Sequence, residues 1–243
     1  MSAAAKISIV MPALNEAHNI RTTLQRLPRT EHLEIVVVDG GSQDATVAIA
    51  REYADKVIVA PVAGRARQMN AGAAVASGDI LLFLHADTRL PQSFATWVRQ
   101  TLARPNTIAG AFRLAIDSRL WSLRWIEFGV RLRSRWLGLP YGDQAIFLRR
   151  EMFNAVDGFR ELPLMEDFEL MQRLQTKGRI HVVSATAITS ARRWETLGVW
   201  RTTLLNQAIV AGYLLGIAPQ TLADWYRARR QGRPTEQLDK IQP

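Results

Sequence analysis

The chain of 243 residues contains no cysteine. Disulfides and thiolate metal sites are thereby excluded, and a reducing, cytoplasmic setting is expected. Lysine is scarce: 4 residues against 27 arginines, which carry almost all of the positive charge in a formal balance of +9. That balance favours anionic partners, whether nucleic acid, lipid head groups or phosphorylated small molecules, without choosing among them, and a GC-rich genome would give the same arginine bias with no functional meaning. No apolar run has membrane-spanning length; residues 204–218 come nearest, but the segment is short and carries Asn206 and Gln207. The first residues include one lysine and no apolar stretch of signal-peptide length, so secretion is not expected. A G-x-G-x-x-G fingerprint, internal repeats and low-complexity tracts are also missing.

What is present is a hydrophobic content of 48%, enough to bury a sizeable core. Over the first ninety residues, short apolar runs alternate with amphipathic segments, the pattern of βαβ units in a mostly parallel central sheet flanked by helices. Strands are expected at 6–11, 33–38, 58–59 and 80–84. Ile20, Leu24 and Leu27 mark a helix capped by Asn15, Ser42 caps a second, and a third over 65–76 stops at Gly78 in the left-handed conformation. Residues 106–195 are less regular, with strands at 108–114, 145–148, 180–183 and 187–188 and a helix over 166–177. Helix follows over 196–230, interrupted at Pro219, and then a polar tail over 231–243. One domain spanning 1–230 is the expected organisation.

Three polar clusters fall at strand carboxyl ends, where open parallel sheets bind ligands. They are Asn15-Glu16, the run from Asp39 through Gly41 to Asp44, and His85-Ala86-Asp87. Glycine, serine and aspartate also build ordinary turns; the feature that points to a ligand is a carboxylate placed to accept a hydrogen bond from a base or ribose. Arg65 and Arg67 sit in the first turn of a helix, where cations oppose the macrodipole unless a phosphate binds there. They read either as phosphate contacts or as solvated surface residues. His85 and Asp87 share one side of an extended segment. A single carboxylate beside ligand phosphates is a partial shell for Mg²⁺ or Mn²⁺, while a satisfied histidine and a turn-forming aspartate are the plainer readings. Glu166, Asp167 and Glu169 open a helix, where the dipole favours acids; a general base for an attacking hydroxyl is the sharper reading.

Between 119 and 137, Trp121, Trp125, Phe128, Leu132 and Trp136 form a narrow helical stripe flanked by Arg124, Arg131 and Arg135. Aromatic stripes ordinarily pack on the protein's own core. Tryptophan beside arginine is also what an interfacial helix lays on anionic lipid.

These residues together resemble the inverting family 2 glycosyltransferases, in particular small bacterial members, over about 7–180. Pro12-Ala13-Leu14-Asn15-Glu16 is similar to the family's P-x-x-N-E opening, and Asp39 through Thr46 to its D-G-S-x-D-x-T segment. Arg65 to Gly72 followed by Ala76-Ser77-Gly78-Asp79 is similar to the stretch before the D-x-D metal motif. The resemblance implies a Rossmann-like nucleotide-sugar-binding α/β fold, with donor contacts from Pro12, Asn15, Glu16, Asp39, Gly41, Asp44, Arg65, Arg67, Asn70, His85 and Ala86. It implies a metal, Mg²⁺ or Mn²⁺, on Asp87, with His85 standing where the family has its first aspartate. The family's acidic pair matches Glu166-Asp167, with Asp167 as base. Gly142, Asp143 and Gln144, together with Arg193 and Trp194, are implied contacts to sugar or acceptor. The first 105 residues would bind nucleotide and 106–195 the acceptor. No nucleic-acid partner is expected from this reading. A non-catalytic membrane- or nucleic-acid-binding protein on the same fold and a nucleotidyltransferase stay open as alternatives.

Overall fold

The structure is a computed structural model that describes residues 4–136 and 138–231; of residues 135, 136, 230 and 231 it describes the backbone alone. The expected polar tail over 231–243 therefore lies, but for the backbone of Gln231, outside the described residues. The described chain divides into two compact units, one formed by residues up to 161 with 166–191, the other by 162–165 with the residues from 192 onward.

The first unit holds an eight-stranded mixed sheet. In chain order its strands are β1 (Ile7–Ala13), β2 (Leu33–Asp39), β3 (Lys56–Val59), β4 (Ile80–Phe83), β5 (Thr88–Arg89), β6 (Thr107–Asp117), β7 (Phe147–Arg149) and β8 (Arg179–Ser190). They are arranged β3-β2-β1-β4-β7-β6-β8-β5. The β3-β2-β1-β4 block is parallel, as is the β6–β8 pair, whereas β7 runs antiparallel to both of its neighbours and β5 antiparallel to β8. The sheet is thus an α/β assembly of the expected class.

Both faces of the parallel block are covered, which is why its strands read as continuous apolar runs rather than alternations. Ile7, Ile9 and Met11 of β1 point into one core with Ile20 and Leu24 of α1 (Ala17–Gln25), Ile49 of α2 (Thr46–Tyr53) and, following α3 (Arg65–Val75) in the chain, Phe94 and Val98 of α4 (Phe94–Leu102). Val10, Val36 and Val38 point into the other, with Ala66 and Met69 of α3. After α5 (Trp121–Trp136), that second core is completed by Phe153 of α6 (Arg150–Ala155) and by Leu170, Met171 and Leu174 of α7 (Glu166–Gln175).

Three local expectations are corrected. Gly78 does not end α3 in a left-handed turn: a Cβ there would lie 2.7 Å from both the Lys6 carbonyl and the Ser8 nitrogen, so the glycine permits close approach to β1. The strands expected at 180–183 and 187–188 form one strand, β8, because a bulge opposite Ala111 and Arg113 absorbs the irregular residues between them. Asn15 and Ser42 cap neither helix; their side chains are used between loops instead.

The second unit contains α8 (Arg192–Leu197), α9 (Val199–Leu214) and α10 (Pro219–Gln231). Pro219 opens α10, where its missing N–H costs nothing. Arg201 donates from Nη2 to the Arg229 carbonyl at 2.9 Å, joining α9 to α10.

Candidate functional site

Because β1, β2 and β4 are parallel, with Ala13 paired to Asp39 and Val10 to Phe83, their carboxyl ends share one edge of the sheet. All three polar clusters open onto that edge. The first two are stitched together. Ser42 Oγ accepts the Asn15 N–H at 2.8 Å, Asn15 Oδ1 accepts the Gln43 N–H at 2.9 Å, Thr46 Oγ1 accepts the Glu16 N–H at 2.8 Å, and Asp44 Oδ2 accepts the Ala17 N–H at 3.1 Å. This exchange is the physical reason the predicted caps are lost: side chains that suit a cap also suit a neighbouring loop. The Thr46 hydroxyl holds the Asp44 carboxyl below its ordinary range.

Asp39 is buried and shapes its own loop, its Oδ2 accepting the Gly41 and Ser42 N–H groups at 2.8 Å each while the Ser42 hydroxyl donates to Oδ1. Glu16 is half-buried and its Oε2 accepts the Asn19 amide at 2.7 Å. Pro12 sits in β1 opposite Val38. A residue that sequence reasoning missed ties the edge together: Gln68, buried in α3, donates from Nε2 to the carbonyls of Ala13 (2.9 Å) and Val38 (2.8 Å), the ends of β1 and β2. A glutamine inside a helix carries no sequence signal for such a role. Asn70 clamps the backbone of Phe159, accepting its N–H at 2.9 Å and donating to its carbonyl at 2.7 Å.

The third cluster is fixed by its backbone. Thr23 Oγ1 donates to the Ala86 carbonyl at 2.8 Å and the Ser190 N–H to the Asp87 carbonyl at 3.1 Å, leaving the half-buried His85 and Asp87 side chains on the rim. Arg65 and Arg67 both have carboxylate partners, Glu166 at 3.1 Å and Glu161 at 2.7 Å, which offsets the unfavourable helix-dipole position.

Gly142 joins the two halves of the site. Its N–H donates to Asp167 Oδ2 at 2.6 Å, and a Cβ at this position would lie 3.0 Å from His85 Nε2 and 3.1 Å from Asp167 Oδ2. Asp167 at the start of α7 and His85 after β4 are therefore both brought to the Cβ position of one glycine. The other oxygen of Asp167 accepts the Phe168 N–H at 2.7 Å, so the carboxylate is oriented by two backbone donors. Glu166 is buried; burial pushes its carboxyl above the ordinary range, the Arg65 guanidinium opposes this, and the Asp167 carboxylate adds to it.

Gly142, Asp143 and Gln144 form a single 3-10 turn. Gln144 is buried inside it, accepting the Ser134 hydroxyl at 2.9 Å and donating to the Phe112 carbonyl at 2.9 Å, which makes it a support for the turn. Asp143 is half-buried beside it. Arg193 (exposed) and Trp194 (buried) start α8 and belong to the second unit.

Among the described residues, no three His, Asp or Glu side chains gather into a metal-binding group. Asp87 offers one hard oxygen donor on the rim, a donor set that suits Mg²⁺ or Mn²⁺ completed by ligand phosphates and water, and does not suit a dedicated protein cage.

On α5 the sequence stripe faces outward. Trp121, Trp125, Phe128 and Leu132 are 71%, 62%, 52% and 49% exposed, and it is Leu123, Glu127 and Ser134 that the helix turns inward. The helix is held by Glu127, which accepts the Ile116 N–H at 2.6 Å, and by Arg124, which donates to the Ile116 carbonyl at 2.7 Å. The side chain of Trp136 lies outside the described residues. No described helix is long and apolar enough to cross a membrane.

Comparison with known proteins converges on one family. A probable glycosyltransferase of Bacillus subtilis (strain 168), YdaM, is 27% identical over 223 residues, covering 80% of this chain and 52% of the relative. A PGL/p-HBAD biosynthesis glycosyltransferase of Mycobacterium tuberculosis (strain H37Rv) is 34% identical over 171 residues, 63% of each chain. The chain thus spans about half the length of the first relative and under two thirds of the second. Among solved structures, the mannosyltransferase PcManGT of Pyrobaculum calidifontis, in complex with GDP-Man and Mn²⁺, superposes with a TM-score of 0.67 at 19% identity, covering 96% of this chain and 66% of that one. Glucosyl-3-phosphoglycerate synthase of Mycobacterium tuberculosis, in complex with Mn²⁺, UDP and its glucosylated product, gives 0.60 at 22% identity over 76% of this chain and 71% of that one. At these identities the two structures establish the shared fold. The profile of Glycosyl transferase family 2 matches residues 8–161, more than half of the sequence, and the chain belongs to that family.

Proposed function

We propose that the chain transfers a sugar from a nucleoside diphosphate sugar to an acceptor hydroxyl, with inversion at the anomeric carbon. The observation that supports this reading is the contact at Gly142, which has the Asp167 carboxylate at one side-chain position with His85 of the loop after β4. A donor lying along the rim formed by the β1, β2 and β4 loops would present its anomeric carbon toward Asp167.

In this mechanism Asp167 removes the acceptor proton as the hydroxyl attacks from the face opposite the departing diphosphate. Its two backbone donors leave lone pairs on both oxygens for that proton and fix the direction from which it is taken. The buried Glu166 holds Arg65 at the rim. Asn15, Glu16, Gly41 and Asp44 present the nucleoside side of the site, with Asp39 shaping the loop from beneath and Pro12 and Asn70 fixing its surroundings. Arg65 and Arg67 place positive charge where the diphosphate would lie. Asp87, beside His85 and Ala86, would hold a divalent cation, which supplies Lewis-acid stabilisation of the leaving group when bound. Gly142 and Asp143 would face the sugar or acceptor, supported by Gln144; Arg193 and Trp194 are assigned to the acceptor by the resemblance alone. A peripheral contact of the exposed α5 stripe with anionic membrane is part of the proposal.

A thermal-shift screen of nucleoside diphosphates and their sugars, with and without Mn²⁺, names the donor, because ligand binding raises apparent stability by mass action. Asp167→Asn should keep the donor-induced shift and lose about two to four decades of turnover. Unchanged turnover would remove Asp167 from the mechanism, and release of pyrophosphate from a sugar phosphate and a nucleoside triphosphate would favour a nucleotidyltransferase instead.

A further inference from the structure

Between α5, β6 and β8 lies a pocket of about 370 Å³, lined by Arg113, Arg131, Ser134, Ile180, His181 and Val182. Its size is that of a small-molecule site, for which roughly 300–1,000 Å³ is usual. Its chemistry is unlike the usual apolar cavity: two guanidinium groups and an imidazole line it. Neither arginine forms an ion pair among the described residues; Arg131 instead lies over the Phe128 ring, 5.7 Å from its centroid. Burial, together with the nearby charges of Arg104 and Arg179, pushes the His181 imidazole below its ordinary range.

The pocket is mechanically joined to the transfer site. Ser134 in its wall donates to Gln144 Oε1 at 2.9 Å, and Gln144 donates in turn to the carbonyl of Phe112, the residue before Arg113. The same short turn supplies the Gly142 N–H that orients Asp167. One turn thus links the pocket wall to the backbone donor that orients Asp167.

We infer that this pocket takes a phosphate group and that the acceptor is a phosphorylated molecule. A phosphate monoester carries about −1.5 to −2 charge at neutral pH and three terminal oxygens. Two planar guanidinium forks and an imidazole N–H match that charge and oxygen count, whereas a carboxylate would occupy one fork and leave the second without an anion. The name acceptor rests on the sugar-transfer reading; binding of the phosphate does not.

Inorganic phosphate and glycerol 3-phosphate are titrated into the whole chain, with calorimetry for affinity and the His181 ring resonances, identified through His181→Asn, for location. Both probes should bind and shift His181, and Arg113→Gln and Arg131→Gln should each weaken binding by about tenfold or more, as expected for lost charged hydrogen bonds. Should a glutamine variant melt early, Arg113→Lys keeps the charge, loses the fork and should bind with intermediate affinity. Phosphatidylcholine vesicles with and without phosphatidic acid distinguish the source. A phosphatidic-acid-dependent response sensitive to Arg113→Gln, with none from glycerol 3-phosphate, places the phosphate on a lipid headgroup; the reverse places it on a soluble acceptor. Absence of binding in every arm, or affinities indifferent to both arginine variants, overturns the inference. If phosphate binds here while no nucleoside diphosphate stabilises the chain, sugar transfer falls and the anion site stands. If nucleotides bind and phosphate does not, the pocket assignment alone falls.

Discussion

Glycine at position 142 is set by its neighbours. Its backbone N–H orients Asp167, and the space a side chain would fill is taken by the ends of His85 and Asp167. Those are side-chain termini, so Gly142→Ala should fold with little loss of melting temperature while displacing both by a few tenths of an ångström. Since a misplacement of about 1 Å at a reacting group can cost on the order of 10² in rate, a fall in kcat of roughly tenfold with donor binding retained is expected. Steady-state kinetics beside a thermal-shift titration of the donor would check it, and full activity in the variant would show that this contact is incidental. At this scale the sequence was partly legible. Acids and amides at strand ends were visible because parallel topology leaves few places for a ligand. The partners of Asn15 and Ser42 were not, because their bonds link residues far apart in the chain, where no local rule reaches.

Elements with strong apolar runs, β1, β2 and β4, were readable for a simple reason: strands buried on both faces can contain little else. The two-residue β5 and the six-residue α6 were not, since segments so short take their conformation from what they pair with. A polar residue inside a buried strand shows the same dependence on context. Glu34 of β2 is buried, yet its carboxylate accepts the Ser8 hydroxyl at 2.5 Å and the Ser77 N–H at 2.6 Å and pairs with Lys56 at 2.9 Å. Burial alone would raise its pKa; the Ser77 N–H, Ser8 hydroxyl and Lys56 ammonium outweigh burial and bring it down to about 2 from 4.5. The folded-state value lies below the unfolded one, so the stabilisation is complete above pH 4.5 and is lost as pH falls toward 2. At about 1.4 kcal/mol per tenfold change in proton affinity, it amounts to roughly 3 kcal/mol. Glu34→Gln should therefore lower urea stability by about that amount near pH 6, and the gap between variant and parent should close as the pH is taken down toward 2. A gap independent of pH would mean that the variant acts by packing rather than charge.

For the whole molecule, the surface of α5 is the feature on which the proposed membrane contact rests. Helix α5 is fastened through Leu123, Glu127 and Ser134 while it turns Trp121, Trp125, Phe128 and Leu132 outward, so the aromatic stripe contributes little to the protein's own core. Its helical spacing was legible in the sequence; its direction was not, because the buried side is secured largely by polar bonds that hydrophobic periodicity does not register. On the proposed membrane contact, the contiguous exposed aromatics would form the surface that meets lipid, and the exposed Arg124 and Arg131 beside them would favour an anionic one. Phosphatidylcholine vesicles containing phosphatidylserine should therefore bind the chain more strongly than phosphatidylcholine alone. Added salt should remove the charge-dependent part and leave a residue of binding from aromatic insertion. The double variant Trp121→Ser, Trp125→Ser should lose that residue while its unfolding free energy stays within about 1 kcal/mol of the parent, since both rings are mostly exposed. A large loss of stability would return the stripe to the core, and vesicle flotation that ignores the two tryptophans, or that vanishes wholly with salt, would leave the arginines as the entire contact.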